Sequence, residues 1–102
     1  MVNQEVIEGL QTQSAEEEII YKITTTNWGS NPTNVSTTAF DETVKEVCTN
    51  SAFPENEPTV DGDIISLSPL KSLIKNRTYK IEVKFKTDGN VFECFFRVGC
   101  PM

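Results

Sequence analysis

Residues 78–98 read TYKIEVKFKTDGNVFECFFRV, and this stretch decides the fold. Tyr79, Ile81, Val83 and Phe85 alternate with Lys80, Glu82, Lys84 and Lys86, a period of two that marks a strand with one buried face. Asp88-Gly89 then supplies the two residues at positive φ that a tight type I′ hairpin turn needs. Counting outward from that turn sets Phe85 opposite Phe92, Val83 opposite Cys94, Ile81 opposite Phe96 and Tyr79 opposite Val98, all on one face. On the other face Lys84 meets Glu93, an opposite-charge pair worth roughly a few tenths of a kcal/mol. A slip of one residue would bury those charges, so turn and pattern demand the same register. Phe95 and Val91 fall on the outer face beside Glu82 and Lys86. Phe95, Lys80, Lys84 and Lys86 are therefore the candidate partner contacts, weighed against lysines that simply keep an outer strand face solvated.

Working upstream, Ser68-Pro69-Leu70-Lys71-Ser72-Leu73 predicts one helical turn, with Pro69 after a Ser cap and Leu70 and Leu73 on one side. Asp61-Gly62 predicts a turn, and Ile64, Ile65 and Leu67 a short strand. Residues 18–26, EIIYKITTT, are rich in β-formers, with Trp28 just past their end. Asn31-Pro32 signals a turn before a strand over 35–40, and 44–48 predicts a shorter one. Residues 49–62, TNSAFPENEPTVDG, predict a polar loop, and 5–10 either an edge strand or part of a loose segment over 1–16. The expectation is one all-β domain over residues 1–102: an antiparallel β-sandwich of about seven strands with one short helical turn.

A family resemblance sharpens this. In Leu73-Ile74-Lys75-Asn76-Arg77-Thr78-Tyr79-Lys80-Ile81-Glu82-Val83, a leucine precedes a tyrosine by six residues and apolar residues follow at two and four. The arrangement resembles the E–F corner of fibronectin type III and related immunoglobulin-like modules. The resemblance implies an immunoglobulin-like sandwich in which the Tyr79 hydroxyl caps the corner, Trp28, trailing its strand, fills the core, and Leu73 has a structural role. Residues 21–100, with ITTTNW, SPLKSL and the closing hairpin, also look like small immunoglobulin-like proteins of phages and prophages. That likeness implies a virion neck or tail component.

Composition narrows the chemistry. The 102 residues are 37% hydrophobic and carry a net charge of −6, which disfavours nucleic acid as a partner. No apolar run is long enough to cross a membrane as a helix, and MVNQEVIEGL lacks the pattern of a signal peptide, so cytoplasmic synthesis is expected; the phage resemblance implies the virion as destination. Residues 1–66 hold two lysines against twelve acids, whereas 67–102 hold seven basic residues against three acids. This asymmetry is either internal complementation across a sandwich or the basis of head-to-tail self-association.

Histidine is absent, removing the commonest general base and metal ligand. Cys48, Cys94 and Cys100 fit no zinc spacing; Cys94 reads as a small buried hydrophobe, while Cys48 and Cys100 either pair or stay free. Asp61 and Asp63, with Glu55 and Glu57, are candidate calcium ligands or simply a solvated loop tip. The triplets at Asn34 and Asn76 match a glycosylation signal that arises often by chance. Trp28 with Tyr21 is either a sugar-stacking platform or core. The expected function is non-enzymatic and cofactor-free: a structural or interaction module whose partners are proteins, either other virion components or copies of itself. The alternative is a cell-surface adhesion or carbohydrate-binding module using residues 55–63. A third reading is an accessory domain of an enzyme.

Overall fold

The computed structural model describes residues 4–26, 28–29 and 31–101, with residues 4–10 described by backbone alone. Eight strands and one helical turn follow in order: β1 (Gln4–Thr12), β2 (Lys22–Thr24), β3 (Thr33–Asp41), β4 (Glu46–Val47), α1 (Thr49–Ala52), β5 (Thr59–Asp61), β6 (Ile64–Ser66), β7 (Arg77–Thr87) and β8 (Asn90–Cys100). They form a five-stranded sheet ordered β1-β8-β7-β3-β4 and a three-stranded sheet ordered β2-β6-β5. The inner faces of both contribute to one hydrophobic core, which includes Ile23 and Ile65 from the small sheet and Ala39, Ile81 and Phe96 from the large one. The chain is thus all-β with a sandwich-like arrangement.

The β7–β8 ribbon has the register that alternation and turn dictate. Thr87 pairs with Asn90, leaving Asp88-Gly89 as the loop, with φ of 51° and 80°. Lys84 faces Glu93, and Phe85, Val83, Ile81 and Tyr79 face Phe92, Cys94, Phe96 and Val98. Seven of those eight apolar residues are buried and Phe92 is half-buried. Trp28 packs over the open end of this face, its ring 5.8 Å from that of Phe85 and 6.4 Å from that of Phe92. Gly29 beside it has no room for a side chain: a Cβ there would stand 2.6 Å from Thr87 Oγ1.

At the other end of β7, the Tyr79 hydroxyl accepts the Ile74 N–H at 2.8 Å while its ring lies in the core, and Leu73 is buried just upstream. Burial raises the Tyr79 pKa above its ordinary value, though the Ile74 N–H pulls the other way. Below the corner, Arg77 Nη1 donates to Asp41 Oδ2 at 3.0 Å, and Asp41 Oδ1 accepts the N–H groups of Thr43 and Val44. One carboxylate thereby ties β3, its following turn and β7 together.

Three expectations need correction. Residues 68–73 form no helical turn: Leu70 pairs with Ile19 as an isolated antiparallel bridge, and Lys71 N–H donates to Ala52 O. Leu70 and Leu73 are both buried, but a six-residue helix gains little against its nucleation cost when extended neighbours offer partners for the same backbone groups. Residues 49–62 are not a plain loop, because they contain α1 and β5 and bury Ala52 and Phe53. The β-rich stretch over 18–26 keeps only Lys22–Thr24 as strand, with Ile19 bridged separately. The N-terminal segment is a strand, and it lies parallel on β8 where the rest of the described pairing is antiparallel.

Gln13 anchors the crossing from one sheet to the other. It is buried; its Nε2 donates to the carbonyls of Leu70 (2.7 Å) and Glu17 (2.9 Å), and its Oε1 accepts from the Tyr21 hydroxyl at 3.1 Å. With both Nε2 hydrogens donated and Oε1 accepting one bond, this buried amide avoids the penalty of an unpaired one. Thr37 Oγ1, by contrast, is buried without a hydrogen-bond partner.

Candidate functional site

The outer face of the five-stranded sheet is built by the residues that alternate with the core. On β7 these are Lys80, Glu82, Lys84 and Lys86, and on β8 Val91, Glu93, Phe95 and Arg97. Register extends the face across β3 and β4, because Phe40 stands opposite both Lys80 and Val47. A row of Val47, Phe40, Lys80 and Arg97 therefore crosses four strands, and Phe95 sits beside it.

The four candidate contacts are not equally placed. Phe95 and Lys80 come together: the Lys80 ammonium lies 4.7 Å from the Phe95 ring centroid, and the Arg97 guanidinium lies 5.0 Å from it. Each such contact is worth about 0.5–1 kcal/mol on an exposed surface, so two cations hold the half-buried ring in place. Lys84 is exposed and faces Glu93 across the strands. Lys86 is exposed beside the hairpin turn, six residues and roughly 20 Å along the strand from Lys80. The lysines form a row with its aromatic contact at one end.

Arg97 belongs to this face and was missed by reasoning from the lysines alone. The signal was present, since Arg97 follows Phe95 by two residues and must share its side of β8. Its Nε donates to Glu42 Oε1 at 3.0 Å, which brings an acid from the β3–β4 turn to the patch. Phe40 and Val47 were also missed, because only the cross-strand register shows that Phe40 adjoins Lys80 and Val47 adjoins Phe40.

Part of the charge asymmetry of the sequence is paired within the molecule. The described ion pairs join the acidic first part of the chain to the basic last part: Asp41 to Arg77, Glu42 to Arg97, and both Glu18 and Glu55 to Lys71. Asp63 accepts a hydrogen bond from Thr26 Oγ1 at the β5–β6 turn, and its carbonyl accepts the Thr25 N–H, so this acid fastens the hairpin to β2. Among the described residues no group of three or more His, Cys, Asp or Glu side chains is arranged to hold a metal ion.

The Tyr21 and Trp28 rings pack on core aromatics, Tyr21 at 4.9 Å from Phe96. No disulfide joins Cys48, Cys94 and Cys100. Cys94 is fully buried, and burial pushes its thiol pKa up to about 12. Cys48 is half-buried, its pKa raised by burial and by the Asp41 carboxylate. No helix among the described residues is long and apolar enough to cross a membrane. No family model, curated protein or solved structure matches this chain.

Proposed function

We propose that this chain is a non-enzymatic interaction module of immunoglobulin-like type, a small component of a phage or prophage particle that acts through protein contacts on its five-stranded sheet. The strand order supports the fold reading: the second, sixth and fifth strands share one layer, and the third, seventh and eighth share the other, as in immunoglobulin-type sandwiches. The Tyr79 hydroxyl on the Ile74 N–H supports it too, because a tyrosine bonded back to the upstream backbone is the corner feature of such modules. The particle assignment rests on the resemblance of residues 21–100 to phage-encoded modules.

The observation that carries the interaction reading is the patch at Phe95. An aromatic ring flanked by Lys80 and Arg97, on a face whose far edge carries exposed Val47, offers both the aromatic and the arginine that protein interfaces favour. The test is incorporation. Particles from an induced prophage carrying this gene are purified by density gradient and probed with antibody. The account expects the protein at fixed stoichiometry in the particles, and less than a tenth of that for a Phe95→Ser/Lys80→Glu double variant that is folded by circular dichroism. Particles that lack the wild-type protein would overturn the assignment. Equal incorporation of the variant would move the contact off this face.

A further inference from the structure

A second site lies one strand row from the Phe95 patch, around the ion pair beneath the tyrosine corner. A cavity of about 210 Å³ opens there between the turn after β3, α1 and residues 72–74. Its floor carries Asp41, Arg77, Tyr79 and Cys48, and its rim carries Val44, Val47 and Ile74. These three aliphatic side chains are 41%, 69% and 50% exposed, so water meets apolar surface around a polar floor.

The hydrogen bonds already made decide what the floor can bind. The Asp41 carboxylate is satisfied: Oδ1 accepts two backbone N–H groups, and Oδ2 accepts Arg77 Nη1. Arg77 uses one of its five guanidinium N–H donors on Asp41, and the described residues accept none of the others. The Tyr79 hydroxyl accepts the Ile74 N–H and keeps its own proton to donate. Among the described residues Arg77 is therefore the one cationic donor in the lining, beside the Ser51 and Ser72 hydroxyls, which donate or accept. A guanidinium edge with two parallel N–H groups matches a carboxylate better than any neutral acceptor. The rim matches a short branched alkyl group.

We propose that this cavity binds a short aliphatic carboxylate, with the carboxylate on the free edge of Arg77 and the alkyl group against Val44, Val47 and Ile74. The exposed Glu46 carboxylate also lines the cavity and opposes an anion. Removing that charge therefore tightens binding rather than loosening it. The ligand is either a free acid or the C-terminal carboxylate of a partner peptide, since both present the same group. This inference is independent of the proposed function, as it shares no ligand contact with the Phe95 patch except the exposed rim residue Val47.

Cys48 supplies the readout. Its thiol lines the cavity and is half-buried, whereas Cys94 is fully buried and serves as the internal control. Alkylation by iodoacetamide at pH 9 is followed by mass spectrometry with 4-methylpentanoate, 4-methylpentanamide, N-acetyl-leucine or N-acetyl-leucine amide present. Both acids should slow Cys48 labelling at least fivefold at saturation, and both amides should leave it unchanged. Stronger protection by N-acetyl-leucine would assign the site to a peptide terminus, and stronger protection by 4-methylpentanoate to a free acid. Glu46→Gln should lower the acid concentration needed by about threefold in low salt and by less in high salt. Equal protection by the amides, no protection by either acid, or weaker binding to Glu46→Gln would overturn the proposal.

Discussion

The β7–β8 ribbon and the segment from Cys48 to Leu73 lie in the same core yet reach it by different routes. The ribbon is specified locally: alternation chooses the faces, and Asp88-Gly89 chooses the register. The intervening segment has almost no periodicity of its own, and outside the β5–β6 hairpin its backbone takes partners distant in sequence. Leu67 N–H donates to Tyr21 O, Leu70 exchanges bonds with Ile19, and Lys71 N–H donates to Ala52 O. Its side chains are no less buried for that, with Phe53 and Leu70 among the largest fully buried residues. Burial and local legibility are separate properties, and only the first contributes directly to stability.

The contrast is tested most severely within the ribbon. Phe96 and Phe95 are adjacent, one fully buried and one on the outer face. Phe96→Ala should cost about 4 kcal/mol in urea denaturation, and Phe95→Ala less than about 1 kcal/mol. Similar losses at the two positions would break the inside–outside assignment of the whole strand.

Alkaline titration probes the same face. The Cys94 thiol is held at about 12 against an ordinary 9.0, so between these values the unfolded chain releases a proton that the folded chain retains. The stability this group contributes is complete below pH 9 and is lost as pH rises towards 12. The slope is about 1.4 kcal/mol per unit, so roughly 2 kcal/mol is gone by pH 10.5. Cys94→Ala, whatever its baseline stability, should remove that part of the slope in denaturation curves measured from pH 8 to 10.5. An unchanged slope would mean that the thiol is not buried.

The intervening segment depends on polar anchors. Gln13→Leu leaves the carbonyls of Leu70 and Glu17 and the Tyr21 hydroxyl without their partner, and should cost about 2 kcal/mol. Hydrogen exchange should accelerate at Ile19 and Leu70 more than at Ile81 or Phe96. Uniform acceleration would show that the segment has no separate anchoring. The smallest effect has the opposite sign. Thr37→Val replaces a buried hydroxyl that lacks a partner and should stabilise the chain by about 1 kcal/mol in the same urea assay.

These contrasts also explain what the sequence made legible. Tyr79, Phe85 and Phe96 declared their face by alternation, and the turn supplied their partners. The outer position of Phe95 and Lys80 followed from the same count. Leu70 and Leu73 misled because three-residue spacing suits a helical turn as well as an extended segment whose two leucines both reach the core. Phe53 was hidden in a polar stretch with no periodic neighbours. Asp41 and Arg77 are 36 positions apart, and nothing local links them; only the β3–β7 pairing brings them within 3.0 Å. The cavity beside them was invisible for the same reason.

The register of the β7–β8 ribbon supports every assignment of inner and outer face made above, and nuclear Overhauser contacts between α-protons measure it directly. Facing pairs predict Hα–Hα cross-peaks for Lys86 with Val91, Lys84 with Glu93, Glu82 with Phe95 and Lys80 with Arg97. Cross-peaks from Lys84 to Phe92 or Cys94 instead, or a helical pattern anywhere between Thr78 and Val98, would contradict the account.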